Sequence, residues 1–262
     1  EFVNTPFDLL YATTSYCFDL SIFEFFFPLL TGKTIRLLNS AMEIVHFLPG
    51  DQQVMLNTVP SVVRNLLEEK IDLSSVSALN MAGEAVPKKF KQVLPYSSIE
   101  VRNLYGPSED TTYSTCYLFK DDGYEEIPIG KPISNTQLYI LDEYLHLLPE
   151  GVDGEIYLSG QGIAKGYHEL PELTKEKFLT NPFVKGQLMY KTGDVGRWLP
   201  DGQVLFTGRI DDQVKVRGYR IELGEIQFQL EQIAGIEQAV VVVKEIQGDK
   251  HIIAYWKGIN ST

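Results

Sequence analysis

A short segment near the middle of the chain combines residue types that could bind a nucleotide. Residues 103–112 read Asn-Leu-Tyr-Gly-Pro-Ser-Glu-Asp-Thr-Thr and follow an apolar run that is typical of a buried strand. The ring of Tyr105 could stack on a purine, and the hydroxyl of Ser108 could donate to a phosphate. Because Mg²⁺ usually takes one or two carboxylates together with phosphate oxygens, Glu109 could hold a nucleotide-bound Mg²⁺. An ordinary turn explains the segment equally well when it is read alone.

Two later segments could bind the sugar of the same nucleotide. Asp194 ends the run Tyr-Lys-Thr-Gly-Asp just past a glycine turn, where its carboxylate could accept hydrogen bonds from two vicinal ribose hydroxyls. Residues 208–222 are basic within a chain that is acidic overall. Their alternating charges also fit a solvated β-hairpin, so this segment decides little by itself.

Composition excludes several classes of partner. The 262 residues are 44% apolar and 22% charged, which is typical of a globular protein. The 23 Lys and Arg residues against 35 Asp and Glu give a net charge of −12, which repels phosphate backbones and anionic lipid. We therefore expect neither a nucleic-acid nor a membrane partner. With two cysteines and no secretory signal pattern, we expect a reducing, cytoplasmic location.

The chain divides into regions of different pattern. Up to about residue 122, short apolar runs alternate with helical spacing, which predicts an α/β layer with a mostly parallel sheet. From about 123 to 210, frequent Gly and Pro turns between short β-like runs predict an antiparallel, barrel-like sheet. After that, one strand, one helix and two strands predict a small α+β subdomain. We therefore predict a large subdomain over residues 1–210 and a small one over 211–262.

Five stretches in one order resemble the adenylation domain of nonribosomal peptide synthetases, within the superfamily of adenylate-forming enzymes. They are residues 18–21, 103–109, 154–167, 190–194 and 208–225. Each is weak alone, but together they cover nearly the whole chain. The resemblance implies a truncated adenylate-forming fold. It implies that the protein activates an amino acid as aminoacyl-AMP with ATP and Mg²⁺, and then transfers it to a phosphopantetheine thiol on a carrier domain.

The resemblance assigns roles to the nucleotide residues. It implies that Tyr105 stacks on adenine, that Ser108 contacts phosphate, and that Glu109 helps to hold the Mg²⁺. It implies that Asp194 and Arg209 bind the ribose. Glu109 and Arg209 are the catalytic residues that it assigns to this chain. The other nucleotide-binding positions are Gly83, Glu84, Asn103 and Gly106.

The resemblance also implies a moving subdomain and two protein partners. Asp211 is similar to the hinge about which the small subdomain rotates between the two half-reactions. The segment of residues 217–220 resembles the loop that faces the carrier arm in the second half-reaction; its residues are Arg217, Gly218, Tyr219 and Arg220. The implied partners are ATP, a small amino acid, and the peptidyl carrier and condensation domains of the same synthetase.

Substrate choice can be predicted from the pocket positions. Asp19 matches the family's carboxylate for the substrate ammonium, where a charge-assisted hydrogen bond is worth roughly 1.5–3 kcal/mol. The resemblance implies that the remaining pocket positions are Leu20, Phe23, Asn57, Asn80, Ala82, Leu104, Thr112 and Tyr113. Bulky Phe23, Leu104 and Tyr113 fill this space and no charged residue is expected to face it, so we predict a small uncharged amino acid. The combination of pocket residues resembles alanine-activating domains, which makes alanine the first expectation. Glycine or serine stays open, because the two asparagines and the threonine could bind a hydroxyl.

The chain also departs from the family pattern. The family's phosphate loop is expected upstream of Phe18, and residues 1–17 do not contain it. The family's catalytic lysine belongs to a late segment that is also absent. We therefore expect weak or no adenylation by this chain alone. An acyl-CoA ligase and a non-catalytic scaffold remain alternative functions.

Overall fold

The computed structural model describes residues 2–211, 213–216, 218–246 and 249–258. The chain divides into two compact units, residues 1–208 and 209–262. This division falls two residues before the boundary expected at 210–211. Within the described residues, no helix is long and apolar enough to cross a lipid bilayer.

The first unit begins with a mixed seven-stranded sheet. Its strands are β1 (Leu9–Ala12), β2 (Thr34–Leu37), β3 (Val54–Thr58), β4 (Val76–Met81), β5 (Glu100–Tyr105), β6 (Thr115–Leu118) and β7 (Lys131–Pro132). The helices in this part are α1 (Leu20–Leu30), α2 (Ile44–Phe47), α3 (Pro60–Glu68) and α4 (Phe90–Val93). Short 3₁₀ turns occur at Ala41–Glu43, Leu48–Gly50 and Ser108–Asp110.

The strand order determines where a ligand crevice can form. The order is β2-β1-β3-β4-β5-β6-β7, and the pairs from β2 to β5 are parallel. Strand β2 lies on one side of β1, whereas β3 and the strands after it lie on the other side. The strand order therefore changes direction at β1. Such a switch in strand order opens a crevice at the carboxyl ends of the two central strands.

Helices cover both faces of this sheet. On one face, Ile44, Val63 and Phe90 from three helices pack in a core with the sheet residues Leu56 and Leu79. On the other face, Phe23 and Phe27 of α1 pack on Leu10, Met55 and Ala78. All five residues of β3 are buried, as expected for a strand that is covered on both sides. The predicted α/β layer is confirmed.

The second part of the first unit is an antiparallel sheet. Its strands are β8 (Thr136–Leu141), β9 (Gly154–Gly160), β10 (Phe178–Thr180), β11 (Leu188–Trp198) and β12 (Val204–Arg209), and α5 (Pro171–Lys177) precedes β10. The order is β10-β11-β9-β8, with β12 also pairing with β11. Leu138, Ile156, Leu158 and Val204 form its buried core. The predicted antiparallel sheet is confirmed.

The second unit is a small α+β structure, as predicted. Strands β13 (Val214–Val216) and β14 (Tyr219–Ile221) form an antiparallel pair. Helix α6 (Leu223–Glu231) then packs against β15 (Ile236–Ile246), which pairs with β16 (Asp249–Gly258). Ala239 and Val241 are the buried residues of β15.

Two local predictions differ from the structure. Pro87 and the spacing of the residues up to Leu94 predict a helix, but the structure has a single helical turn, Phe90–Val93. It is preceded by a turn in which the Phe90 N–H donates to the Pro87 carbonyl. A helix this short gains little from cooperative hydrogen bonding. The glycine turn expected just before Asp194 does not end a strand. Asp194 lies inside β11, where the pairing register with β9 shifts between Lys191 and Val195.

Candidate active site

Except for Asp194, the predicted site residues of the first unit lie in or just after the carboxyl-terminal halves of neighbouring parallel strands. Asp19 lies at the start of α1, which follows β1, and Asn57 lies near the end of β3. Residues 82–84 follow β4, and residues 106–112 follow β5. The sheet topology therefore gathers stretches from four strands at the edge where the switch in strand order opens its crevice.

The loop after β5 is folded tightly on itself. The Ser114 N–H donates to the Tyr105 carbonyl at 2.7 Å. Thr111 and Thr112 have positive φ angles of 49° and 71°, which non-glycine residues rarely adopt. A Cβ on Gly106 would lie 2.6 Å from the Thr112 carbonyl oxygen. Gly106 is therefore required for the chain to cross itself at this point.

Tyr105 and Asp194 join the two sheets of the first unit. The Tyr105 hydroxyl donates to Oδ2 of Asp194 at 2.5 Å, and both residues are buried. The Asp194 N–H donates to the Thr192 hydroxyl at 3.0 Å, which fixes the backbone at the bulge of β11. The structure thus brings the predicted adenine-stacking ring and the predicted ribose carboxylate into direct contact.

Glu109 is a buried carboxylate held by a tyrosine. The Tyr167 hydroxyl donates to its Oε1 at 2.7 Å, and the Tyr190 hydroxyl lies 3.3 Å from that of Tyr167. Burial, with these two neighbours, raises the pKa of Tyr167, so this hydroxyl keeps its proton and remains a donor.

A single carboxylate suits Mg²⁺ that takes its other ligands from phosphates. Among the described residues, no three His, Cys, Asp or Glu side chains are grouped to hold a metal ion. The donor set around Glu109 therefore fits a nucleotide-bound ion, not a metal held by the protein alone.

Asp19 connects the two halves of the predicted site. Its Oδ1 accepts from the N–H of Leu20 at 2.8 Å, so the carboxylate caps α1. Its Oδ2 accepts from the Ser108 hydroxyl at 2.6 Å, and its backbone carbonyl accepts from the Thr112 hydroxyl at 3.0 Å. The predicted ammonium-binding carboxylate and the predicted phosphate-binding hydroxyl are therefore neighbours.

Five of the predicted pocket residues form one apolar cluster. Ala82, Leu104 and Tyr113 are buried together, and Leu20 and Phe23 pack against them. The rings of Phe23 and Tyr113 meet edge to face, with centroids 5.2 Å apart. Such aromatic pairs add about 0.5–1.5 kcal/mol beyond the area that they bury, so this wall is well packed.

The two predicted pocket asparagines are partners across β3 and β4. Asn57 and Asn80 pair in register, and both are buried. Oδ1 of Asn57 accepts from the Tyr113 hydroxyl at 2.6 Å. Oδ1 of Asn80 accepts from Arg102 at 3.3 Å, while its Nδ2 has no hydrogen-bond partner among the described residues. The structure thus brings all the predicted pocket residues to one place.

Two charged residues that the sequence analysis did not select lie against these asparagines. Glu24 is fully buried and accepts from Nδ2 of Asn57 at 3.2 Å, and buried Arg102 donates to Asn80. Burial raises the pKa of Glu24, and hydrogen bonds from its neighbours oppose this shift. The signal in the sequence was a single carboxylate within the apolar run of residues 22–30.

The remaining nucleotide-site residues of the first unit have structural partners in this structure. Glu84 accepts from the backbone N–H of Ser61 at 3.0 Å and from its hydroxyl, and so caps the start of α3. Asn103 is buried and donates from Nδ2 to the Pro128 carbonyl at 2.8 Å. Gly83 has a φ of 82°, which its missing side chain permits. Their contact with a nucleotide stays a prediction.

In the second unit, Arg209 and Asp211 bind each other. The guanidinium donates to both carboxylate oxygens, at 2.7 and 2.8 Å, in a bidentate pair. Of the predicted carrier-arm loop, Gly218 has a φ of 80° at the hairpin turn, and Tyr219 and Arg220 lie exposed on β14. Arg217 lies outside the described residues. The ribose, hinge and carrier-arm roles stay predictions.

A cavity of ≈ 770 Å³ lies elsewhere in the first unit. Gln53, Val76 and Glu100 line it, and they stand at the amino-terminal ends of β3, β4 and β5. This is the edge opposite to the crevice, so the cavity takes no part in the site described above.

Known proteins are similar to this chain in both sequence and fold. The sequence model of the family described as AMP-binding enzyme matches residues 2–168. Tyrocidine synthase 3 of Brevibacillus parabrevis is 43% identical over 260 residues, which cover 95% of this chain. The match covers 4% of that protein, so the chain spans a small part of this relative.

Two solved structures are similar over nearly the whole chain. Holo-PA1221 is described as an NRPS protein containing adenylation and PCP domains, bound to a vinylsulfonamide inhibitor. It matches with a TM-score of 0.89 and 29% identity, over 98% of this chain and 46% of that one. Holo-AB3403, a four-domain nonribosomal peptide synthetase bound to AMP and glycine, matches with a TM-score of 0.71 and 36% identity, over 98% of this chain and 20% of that one.

Proposed function

The chain belongs to the AMP-binding enzyme family, and we propose that it activates a small uncharged amino acid, alanine first, as an aminoacyl-AMP. The resemblance to adenylation domains of nonribosomal peptide synthetases is confirmed, and with it an ATP-dependent, ligase-type enzyme class. The amino acid, the Mg²⁺ and the partner domains belong to the proposal.

The contact between Asp19 and Ser108 carries this proposal. The carboxylate that would bind an α-ammonium lies 2.6 Å from the hydroxyl that would bind a phosphate. An amino acid held at Asp19 would therefore have its own carboxylate near the nucleotide. A fatty or aryl acid has no ammonium, so it would leave the negative charge of Asp19 without this partner.

The chemistry is the attack of a carboxylate oxygen on the α-phosphorus of ATP. One P–O bond forms, the bond between the α- and β-phosphates breaks, and pyrophosphate leaves. Tyr105 and Asp194 would bind the adenosine, and Ser108 would donate to a phosphate oxygen. Mg²⁺ at Glu109 would supply positive charge to the phosphates when it is bound. Donors that are already in place stabilise the charge that develops at the α-phosphate.

The packed aromatic wall supports a small substrate. Phe23 and Tyr113 occupy the space that a long side chain would need, and their edge-to-face contact leaves little room between them. Alanine needs space for one methyl group only. Because one methylene group gives only about 1–3 kcal/mol of discrimination, glycine and serine are the competing substrates to test.

The second half-reaction would transfer the acyl group from AMP to the thiol of a phosphopantetheine arm on a carrier domain. Holo-PA1221 is described as containing adenylation and PCP domains, which supports a carrier partner. We place Asp211 at the hinge of this step, and Arg217, Gly218, Tyr219 and Arg220 toward the arm. A condensation domain is the further partner that we propose.

The test is amino-acid-dependent exchange between ATP and pyrophosphate across all common amino acids. It is run on the 262-residue chain and on the same chain joined at both ends to the flanking segments of tyrocidine synthase 3. Exchange with alanine supports the reaction and the pocket. Exchange with a large or charged amino acid keeps the reaction and contradicts the pocket. No exchange in a folded protein that binds ATP contradicts the proposed function and favours an acyl-CoA ligase or a scaffold.

A further inference from the structure

A buried carboxylate with no assigned role lies behind the amino-acid pocket. Glu24 is fully buried on α1, next to the pocket residue Phe23. Its Oε2 accepts from the backbone N–H groups of Thr13 and Thr14, both at 3.0 Å. Its Oε1 accepts from the Thr14 hydroxyl at 2.7 Å. These bonds tie α1 to the segment that leaves β1.

The same carboxylate fixes the direction of a short hydrogen-bond chain. Oε1 of Glu24 also accepts from Nδ2 of Asn57 at 3.2 Å. Because an ionised carboxylate can only accept, the amide nitrogen of Asn57 must face it, and Oδ1 must point the other way. That oxygen accepts from the Tyr113 hydroxyl at 2.6 Å. The position of the Tyr113 hydroxyl therefore depends on the charge on Glu24.

We propose that Glu24 is a positioning residue for substrate selection: its carboxylate sets the Asn57 amide, and this amide holds the Tyr113 ring against Phe23. All three polar side chains are buried, so no solvent competes for these bonds. The ring contact of 5.2 Å then keeps the pocket at the size of a small side chain. The consequence for substrate rests on the proposed function, whereas the position of the Tyr113 ring does not.

Glu24→Gln is the sharpest substitution for the test. It keeps the volume of the side chain and one oxygen for the N–H groups of Thr13 and Thr14. It puts an N–H₂ group where Asn57 now donates, so the Asn57 amide must turn over or lose the bond. If the amide turns over, the Tyr113 hydroxyl loses its present acceptor; if the amide loses the bond, nothing at position 24 holds its Oδ1 toward Tyr113.

Glu43→Gln is the matched control. Glu43 likewise accepts from a backbone N–H and a side-chain amide, both of Asn39, at 2.8 and 2.9 Å. It belongs to the 3₁₀ turn that follows β2, and its contacts are exposed. The same chemical change is therefore made without touching the pocket.

The first readout needs no activity. We would place 3-fluorotyrosine at position 113 and record its ¹⁹F resonance in the full chain. The resonance should move in Glu24→Gln and stay in place in Glu43→Gln. If Glu24→Gln does not fold, Glu24→Asp carries the test, because it withdraws the carboxylate from Asn57 by one bond. A resonance that is unchanged in the folded variant overturns the proposal.

The second readout is a double-mutant cycle in the exchange assay. We expect Glu24→Gln to raise the KM for alanine about tenfold, with the KM for ATP unchanged. In a Tyr113→Phe background, which has no hydroxyl to hold, the same substitution should have little further effect. An equal effect in both backgrounds would make Glu24 a mere anchor of the Thr13–Thr14 segment and overturn the proposal. Absence of exchange in the wild type contradicts the proposed function alone, and the ¹⁹F result still decides the role of Glu24.

Discussion

The hydroxyl of Tyr105 donates to the carboxylate of Asp194 at 2.5 Å, although the two residues stand 89 positions apart in the chain. Tyr105 ends β5 of the mixed sheet, and Asp194 lies at the bulge of β11 in the antiparallel sheet. One hydrogen bond therefore couples the architecture of the first unit to the proposed adenosine site. A change at either end should alter both stability and nucleotide affinity.

Tyr105→Phe tests this coupling. The variant keeps the ring for stacking but removes one donor from a buried carboxylate, which costs about 1–3 kcal/mol. We expect a lower free energy of unfolding in urea, and a KM for ATP raised severalfold in the exchange assay. Tyr144→Phe, at an exposed tyrosine, is the control and should change neither value. Normal ATP affinity in Tyr105→Phe would contradict the nucleotide role of this pair.

Asp19→Asn separates the two halves of the proposed site. Asparagine keeps one oxygen to cap α1, and its N–H₂ group can donate to the Ser108 hydroxyl oxygen, but it lacks the charge for a substrate ammonium. We expect the KM for alanine to rise about 10- to 100-fold and the KM for ATP to change less than about twofold. Asp8→Asn, which removes a partly exposed ion pair with Lys33, serves as the control. A parallel rise in both KM values would place Asp19 in the nucleotide site instead.

Phe23→Ala tests the size of the pocket. Removing the ring opens the aromatic wall opposite Tyr113, so exchange with alanine should fall and exchange with leucine or another larger side chain should rise. The exposed Phe26→Ala, on the same helix, is the control for general loss of packing. Alanine preference that persists in Phe23→Ala, with no gain for larger substrates, would refute the pocket assignment.

Much of the fold could be predicted from local pattern, because some elements carry their own signal. The run from Val76 to Met81 is mainly apolar and is followed by a glycine turn at Gly83, and it forms a strand over the same residues. By contrast, Gly193 predicts a turn just before Asp194, because a glycine interrupts the alternation expected of a strand. The structure has a bulged strand there, which pairing with β9 stabilises. Such pairing is not visible in one stretch of sequence.

The candidate site likewise contains residues that local sequence predicts and residues that only the folded structure brings to it. Ser108 and Glu109 belong to a short segment whose residue types suit a nucleotide, and the resemblance to the family adds Asp19. Glu24 and Arg102 act on Asn57 and Asn80, which lie 22 or more positions away. The packing of α1 on the sheet brings Glu24 to Asn57, and the register of β4 and β5 brings Arg102 to Asn80. A lone buried charge in an apolar run was the available signal, but its partners could not be named from sequence.

Asp110 is a buried carboxyl group in the loop beside Gly162. Burial raises the pKa of Asp110 to about 6 from an ordinary value of 3.8, and the Ser114 hydroxyl offsets part of this shift. The folded pKa lies above the unfolded one, so the protonated carboxyl stabilises the fold. That contribution is complete below pH 3.8 and is lost as the pH rises through about 6.

Asp110→Asn removes this titration. Relative to wild type, its free energy of unfolding should rise by up to about 3 kcal/mol between about pH 4 and pH 8, as measured by urea unfolding at a series of pH values. Asp142→Asn provides a control of opposite sign, because a hydrogen bond from the His146 N–H lowers the pKa of Asp142. Its carboxylate stabilises the fold above the unfolded pKa of 3.8, and that contribution is lost only as the pH falls through the still lower folded pKa, so Asp142→Asn should differ from wild type by a constant amount above about pH 5. A difference between Asp110→Asn and wild type that stays flat over this pH range would show that Asp110 titrates alike in the folded and unfolded chains.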